Sequence, residues 1–447
     1  MMDIQLQTIQ KYIKEKNLQG LKNIYGDIPP ADLTTLFHQL NPGERLFFFR
    51  SLPRLVAAQV FSHLDPDEEN SLILKLTDKE ARQLLHDLDP DDRTEFFEEL
   101  PGRLTQKILN LLDDENVAEI RMLLGYAEDT VGRFMTPDYI AVRPSWTAVQ
   151  AMNHVREWGN ESETSDVIYV TNASWELQGA ISLRHLVLSD PETSVESIMK
   201  SPAIAIHAHE DQESAVHMMQ KYDVSVLPVI DAHNILVGII TVDDVLDIAE
   251  EETTEDFHRS SAIDAFQESF LKTSIFFLYK KRIGWLVLLT FVNILSGAII
   301  MSYEATLQQA IALVAFLPLL IGSAGNSGSQ SATLTIRAMA TGDVHMGDWL
   351  IVIWRELRTA LLLGSTMGAV VWGLGIFRSG ETVALIVALT MVMIVLLGSL
   401  LGVCLPFVLS KLKLDPATAS SPLVTSIADI LGVFIYLIIA KALLGIA

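Results

Sequence analysis

From Gly284 onward the chain is divided into five apolar stretches, and these constrain everything that precedes them. They lie near 284–302, 309–336, 349–377, 382–409 and 420–446. A hydrocarbon layer ~30 Å thick needs about 20 apolar residues in a helix, so each stretch is long enough to span it. The expectation for residues 284–447 is an all-α transmembrane domain of five helices.

Basic residues set the orientation. Lys280, Lys281, Arg282, Arg337, Arg355, Arg358, Lys411 and Lys413 fall beside loops on one side, whereas Arg378 and Lys441 fall on the other. Positive residues are retained inside. The N-terminus is therefore expected in the cytoplasm, with the chain as a multi-pass protein of the plasma membrane or cell inner membrane. The opening MMDIQLQTIQKYIKEK has no apolar core and does not read as a signal peptide. The single cysteine, Cys404, sits in an apolar run and rules out a disulfide framework within one chain.

Seven acids and seven bases lie from Gly284 to the end, so the formal net charge of −23 resides entirely in residues 1–283. Such a field repels nucleic acid and attracts cations. The plain alternative is that acidity keeps a soluble region soluble.

That region opens with a repeat. Leucine recurs every twelve positions at Leu40, Leu52, Leu64, Leu76, Leu88, Leu100 and Leu112. Helix-start signatures follow most of them: Asn41-Pro-Gly-Glu44, Asp65-Pro-Asp-Glu68, Thr77-Asp-Lys-Glu80 and Asp89-Pro-Asp-Asp92. A capping side chain with a carboxylate three residues on satisfies free amides, and Pro fits the first helical position. Short helices of this kind must stack, which predicts an α-superhelical domain over 1–130.

Strands and helices then alternate twice. Met135-Thr-Pro137 opens a unit that ends at Gly179-Ala-Ile-Ser-Leu-Arg-His-Leu186. Met199-Lys-Ser-Pro202 opens a second, ending at Gly238-Ile-Ile-Thr-Val-Asp-Asp-Val245. The pattern resembles a tandem of CBS domains, over 131–196 and 197–250. That resemblance implies dimerisation and sensing of adenosine ligands or ions. It assigns a ribose contact to Thr241 and Asp244, and so admits ATP there; Ser182-Leu-Arg-His185 in the first copy lacks the acid. An acid-rich connecting helix is expected over 245–275.

Two membrane features carry chemistry. Pro318-Leu-Leu-Ile-Gly-Ser-Ala-Gly-Asn-Ser-Gly-Ser-Gln330 puts glycines and small polar residues at membrane depth. Gly costs a helix roughly 1 kcal/mol relative to Ala, so an unwound segment is expected here, lining an aqueous path with carbonyls and the amides of Asn326 and Gln330. The alternative is close packing of helices through small residues. Asp429 is the acid well inside the fifth span, and a charge there costs ~2.5–3.5 kcal/mol, so it should face a wet cavity or a cation. Pro422 upstream is expected to open the helix locally. Oxygen ligands suit hard cations such as Mg²⁺, which dehydrates reluctantly and would be held hydrated.

Taken together, these parts resemble the MgtE family of Mg²⁺ channels, over essentially the whole chain. The carriers of the resemblance are Gly325-Asn-Ser-Gly-Ser-Gln-Ser-Ala-Thr333 and Pro422-Leu-Val-Thr-Ser-Ile-Ala-Asp429. It implies a homodimer with hydrated Mg²⁺ on Asp429 and with Gly325, Asn326, Gly328, Ser329 and Gln330 beside it. One departure is Ser329, where the family often has Asn. The resemblance also implies closure by intracellular Mg²⁺ bound at Asp211, Glu213, Asp223, Asp244, Asp247, Glu250, Glu252, Glu255, Asp256 and Asp415. In the superhelix the expected ligands are Asp91, Asp92 and Glu95.

Physical reasoning gives the same sense of coupling, since divalent cations turn repulsion between facing acids into a bridge and the ion then favours the closed state. The rival reading is a CBS-regulated carrier of another divalent cation or solute, gated by adenine nucleotide or ionic strength. An enzyme is not expected: the chain has no HExxH and no P-loop, and His209-Glu-Asp-Gln-Glu213 breaks the zinc-protease pattern.

Overall fold

The computed structural model describes residues 2–444 apart from 27, 99, 101, 265 and 267–272. Contacts divide the chain into two compact units, Met1–Ile248 and Ala249–Ala447.

Among the described residues, the first unit opens with ten short helices from Met2–Lys14 to Asp114–Leu123. The twelve-residue repeat marks where they end. Leu40, Leu52 and Leu88 directly follow helices Pro30–Gln39, Pro42–Ser51 and Asp78–Asp87, and all three are buried with Leu64 and Leu100. Two of the four capping signatures close as capping boxes, Asn41 with Glu44 and Thr77 with Glu80, whereas Asp65 with Glu68 does not. The Thr77 amide donates to Glu80 Oε2 at 2.7 Å, and the Glu80 amide to Thr77 Oγ1 at 3.3 Å. Between the helices runs a seam of aromatic rings, with Phe61 edge-on to Phe96 at 5.3 Å. Stacking supplies the burial that no single eight- to ten-residue helix achieves alone.

Two three-stranded sheets complete the unit. In the first, β1 (Ala141–Val142) runs parallel to β2 (Val167–Thr171), which pairs antiparallel with β3 (Leu177–Ser182). In the second, β4 (Ile206–His207), β5 (Val226–Ile230) and β6 (Leu236–Thr241) repeat that order and those directions.

Hydrogen bonds cross the sequence boundary at 196/197 in both directions. Thr136, leading the first copy, exchanges hydrogen bonds of 2.8 and 2.9 Å with Ile239 of β6. Lys200, leading the second copy, exchanges bonds of 2.9 and 3.1 Å with Ala180 of β3. Each leading segment thus belongs to the other copy's sheet. Glycine is required at both crossings: a Cβ on Gly179 would lie 2.7 Å from the Lys200 carbonyl, and one on Gly238 2.9 Å from that of Thr136.

The helix after β6 is Val242–Ser260. It starts earlier and stops sooner than the 245–275 expected from its charge. Residues 261 and 262 turn, and Ala262 takes a positive φ of 58°, which the regular helix does not allow. Part of the expected range, 265 and 267–272, lies outside the described residues.

Among the described residues five membrane-length helices follow: Ile275–Ser302, Ile311–Ala340 (3₁₀ over Ile311–Phe316), Met346–Ser379, Glu381–Lys411 and Ser421–Leu444. The first begins nine residues before the expected Gly284 and carries Lys280–Arg282 in its opening turns, since basic residues are good helix formers. The apolar side chains Val287, Phe291, Ile294 and Leu295 of this span are exposed, as lipid contact requires.

Candidate functional site

The glycine-rich motif does not unwind. Helix Leu317–Ala340 runs unbroken through Gly325-Asn-Ser-Gly-Ser-Gln330, contrary to the expectation from glycine content. The reason is packing. A Cβ at Gly402 of the fourth span would lie 2.2 Å from the Gly328 carbonyl, and one at Gly398 2.5 Å from that of Ala324. On the other flank, a Cβ at Gly325 would meet Thr425 Cγ2 at 2.6 Å and one at Gly328 Val424 Cγ1 at 2.8 Å. Small residues let three backbones approach, and this close packing outweighs the helix cost of each glycine. These glycines therefore build the wall and do not offer freed carbonyls.

Hydroxyls fasten the same seam. Ser327 and Ser399 oxygens are 2.6 Å apart, and Ser329 Oγ lies 3.0 Å from Thr425 Oγ1 while donating to the Ser421 carbonyl at 3.3 Å. Ser329 thus ties the second span to the fifth. Asn326 and Gln330, one turn apart, are exposed on the remaining face. Ser331 Oγ donates to Glu356 Oε1 of the third span at 2.6 Å. Glu356 is a membrane-helix acid that sequence reasoning passed over, because Arg355 and Arg358 beside it mark a helix end.

Pro422 also departs from expectation. It sits in the first turn of helix Ser421–Leu444, where a missing amide proton costs nothing, and so starts the helix and does not open it. Two turns on, Asp429 lines an open cleft of about 580 Å³. The cleft is shared by Thr425 and Ser426 of the same helix with Thr290 and Asn293 of the first span. Asp429 Oδ1 is buried and has no hydrogen-bond partner among the described residues. An unsatisfied carboxylate oxygen at that depth calls for a cation or water.

A second constellation lies in the first unit. Asp91 and Asp92 occupy the first turn of helix Pro90–Glu98, and Asp244 the first turn of Val242–Ser260. The fold brings Glu163 to them on a loop whose amide donates to the Asp138 carbonyl at 2.8 Å. Burial, then Asp244, Asp92 and Glu163, hold the Asp91 carboxyl well above the usual range. Burial and the charges of Asp89, Glu95 and Asp244 push Asp92 up to about 7. Burial with Asp89, Asp244 and Asp243 pushes Glu163 up to about 8. Asp244 rises to about 6, chiefly by burial, although Thr241 restrains it through its hydroxyl at 2.7 Å and its amide at 3.3 Å. Four acids gathered at two helix starts repel one another, and an oxygen-only donor set of this charge fits a hard divalent cation.

The remaining expected ligands are scattered. Asp211 caps helix Gln212–Tyr222 by accepting from the Glu213 amide at 2.9 Å, while Asp223 ends that helix at φ 51° with its side chain exposed. Asp247 adds its charge to Asp244, and Glu95 its charge to Asp92. Glu250 is exposed and Glu252 half-buried. In the second unit Glu255 and Asp415 both pair with Arg259. Burial first, then Asp415, raises the Asp256 carboxyl, while Arg259 and Arg337 oppose the shift. The cationic role at Asp415 is filled by that arginine.

Of the two nucleotide-type loops, Thr241–Asp244 is engaged with itself and with the acids. The Ser182 loop instead borders an open cleft of about 750 Å³ with Arg184, Asp166 and Ser225.

The chain is 37% identical to the magnesium transporter MgtE of Thermus thermophilus over 441 residues, 98% of each chain. It is 33% identical to MgtE of Bacillus subtilis over 324 residues, 72% of this chain and 71% of that one. The chain belongs to the MgtE family.

Family profiles place the parts: the MgtE divalent cation transporter domain over 317–439, the MgtE intracellular N domain over 28–129 and a CBS domain over 195–251. MgtE proteins are transporters and not enzymes. Two solved structures resemble the part before the membrane-length helices. One is the cytosolic domain of the Mg²⁺ channel MgtE in complex with ATP, with a TM-score of 0.53 and 34% identity over 54% of this chain and 99% of that one. The other is the soluble part of a magnesium transporter, with a TM-score of 0.54 and 25% identity over 56% and 99%. The MgtE transporter profile spans both the glycine seam and Asp429.

Proposed function

We propose that this chain carries Mg²⁺ into the cytoplasm through a path on which Asp429 holds the hydrated ion, and that intracellular Mg²⁺ closes it. The observation that carries the reading is Asp429 Oδ1, without a hydrogen-bond partner among the described residues in a cleft at membrane depth. A single carboxylate cannot strip Mg²⁺ of its water, but it can attract the hexahydrate and release it. The exposed amides of Asn326 and Gln330 would line the same path, with a second copy of the chain completing it across a dimer axis.

Closure would act through the acids of the first unit. Asp91, Asp92, Glu163 and Asp244 are costly together and ionised; a divalent cation among them removes the repulsion and locks the intracellular unit in its compact arrangement. Glu163 joins this set in place of Asp211 and Asp223, which serve helix ends. Membership of the family and 37% identity to a magnesium transporter support Mg²⁺ as the cargo.

ATP is proposed as a second ligand, at the Ser182–Arg184 cleft and not at Thr241 and Asp244. Arg184 supplies a cation for phosphate there, whereas Asp244 lies among acids that would repel it.

Mg²⁺ uptake into liposomes, measured with low and high Mg²⁺ on the intracellular-domain side, tests the whole reading. Uptake at low and arrest at high Mg²⁺ is expected. Uptake that ignores Mg²⁺ on that side would remove the sensor, and no uptake in either condition would remove the cargo.

A further inference from the structure

The first span contributes an amide that neither the glycine motif nor the Asp429 motif includes. Asn293, in helix Ile275–Ser302, lies at the middle of the apolar run 284–302, is exposed, and makes no hydrogen bond among the described residues. An amide at hydrocarbon depth without a partner is expensive unless it meets water, protein or a ligand. It lines the same cleft as Asp429.

The two residues also match in depth. Asn293 is nine residues past Gly284, where the apolar run begins, and Asp429 eight past Ser421, so at 1.5 Å per residue both sit about 12–14 Å in. The first and fifth of five alternating spans run in the same direction, which puts those two depths on the same side of the layer.

The chemistry of the neighbours narrows the ligand. Water bound to a dication presents only protons to its surroundings, so a site for a hydrated cation must present acceptors. Asp429 does so. Thr290, one turn before Asn293, donates its own proton to the Leu286 carbonyl at 2.7 Å, which leaves an oxygen lone pair for the cleft. Asn293 adds its amide oxygen to the same cleft.

We infer that Asn293 is a specificity-determining residue of the cation path, accepting a hydrogen bond from a water of the hydrated divalent ion held by Asp429. The inference rests on Asp429 as the ion's carboxylate and adds the first span to the site. It predicts a site that recognises the ion's hydration shell from two helices, with the amide fixing where that shell sits.

The test uses the full chain in liposomes with a Mg²⁺ indicator, under Mg²⁺-poor conditions on the intracellular-domain side. Asn293→Leu is expected to lower Mg²⁺ uptake roughly tenfold, the loss of one hydrogen bond to a charged species. Asn293→Asp, which keeps the acceptor oxygen, is expected to retain uptake and to increase block by hexaamminecobalt(III), an exchange-inert analogue of hydrated Mg²⁺. Wild-type uptake by Asn293→Leu overturns the inference. So does an Asn293→Asp variant that folds yet loses uptake as completely as Asn293→Leu, and so does a smaller assembly of Asn293→Leu on gel filtration, which would assign the amide to a subunit contact. Should Asn293→Leu fail to fold, the Asp variant decides. Asp429→Ala separates the two levels: normal uptake there sinks the parent reading, whereas loss there beside normal Asn293→Leu uptake sinks only this one.

Discussion

Two regions of the molecule place carboxylates where water is scarce, and they do so in opposite ways. In the first unit Asp91, Asp92, Glu163 and Asp244 are crowded together, and mutual repulsion adds to burial. In the fifth span Asp429 stands in a cleft whose other polar lining is neutral: hydroxyls and the Asn293 amide. Many acids around one ion make a site that binds and holds, because each added carboxylate strengthens attraction in a low-dielectric setting. One acid with neutral acceptors makes a site that attracts and lets go. Sensing needs the former and passage the latter.

The comparison breaks most visibly at Asp429. Replacing it with Ala should cut Mg²⁺ flux by about a hundredfold, since about 3 kcal/mol of interaction with the ion is lost. Loss of a single acid from the first unit should leave maximal flux intact. Equal effects in a liposome uptake assay would erase the distinction.

Next in size is the wall beside Asp429. Gly402→Ala drives a methyl toward the Gly328 carbonyl, where backbone cannot yield, and should destabilise the membrane unit by about 1–3 kcal/mol. Gly325→Ala meets a threonine side chain and should cost less. Thermal unfolding in detergent ranks the two; the reverse order would deny the seam its role.

Smaller effects sharpen the sensor. Above about pH 8, where Glu163 is ionised, Glu163→Gln removes one repelling charge, so the first unit should resist trypsin better without Mg²⁺ and gain less protection when Mg²⁺ is added. A variant that gains as much as wild type would take Glu163 out of the cation set.

The pH dependence is subtler. These acids are raised in the folded unit, to about 6, 7 and 8 at Asp244, Asp92 and Glu163. A raised carboxyl costs folded stability wherever the unfolded chain would ionise it and the fold resists, so the penalty is absent below about pH 4, grows as pH climbs from there to these values, and is complete above about pH 8. Without Mg²⁺ the unit should therefore become more protease-resistant between about pH 8 and pH 5.5, and added Mg²⁺ should help most at the alkaline end. A flat profile would mean the acids are not crowded in solution.

Legibility from sequence differed by the range of the forces involved. The leucine repeat and the Thr77–Glu80 capping box were readable because spacing within one helix determines them. Asp429 was readable because a charge inside an apolar run needs a reason. Glu163 was not, since it lies in a polar loop and acquires its meaning only when the fold sets it against helix starts more than seventy residues away on either side. The glycine motif was misread for the same reason: helix propensity is local, while Gly398 and Gly402, which reward a straight helix there, lie about seventy residues further on. Asn293 escaped notice as one amide in a long apolar run.

The exchanged leading segments of the two CBS copies have a consequence for how such a chain can be cut or recombined. Because Thr136 completes the sheet of the second copy and Lys200 that of the first, a scission between residues 196 and 197 yields no self-sufficient half. Each fragment would expose a strand edge and invite pairing with another copy. The pair is therefore the smallest piece that keeps both sheets whole, and a graft meant to keep the acid cluster would have to carry the helix that holds Asp91 and Asp92 as well.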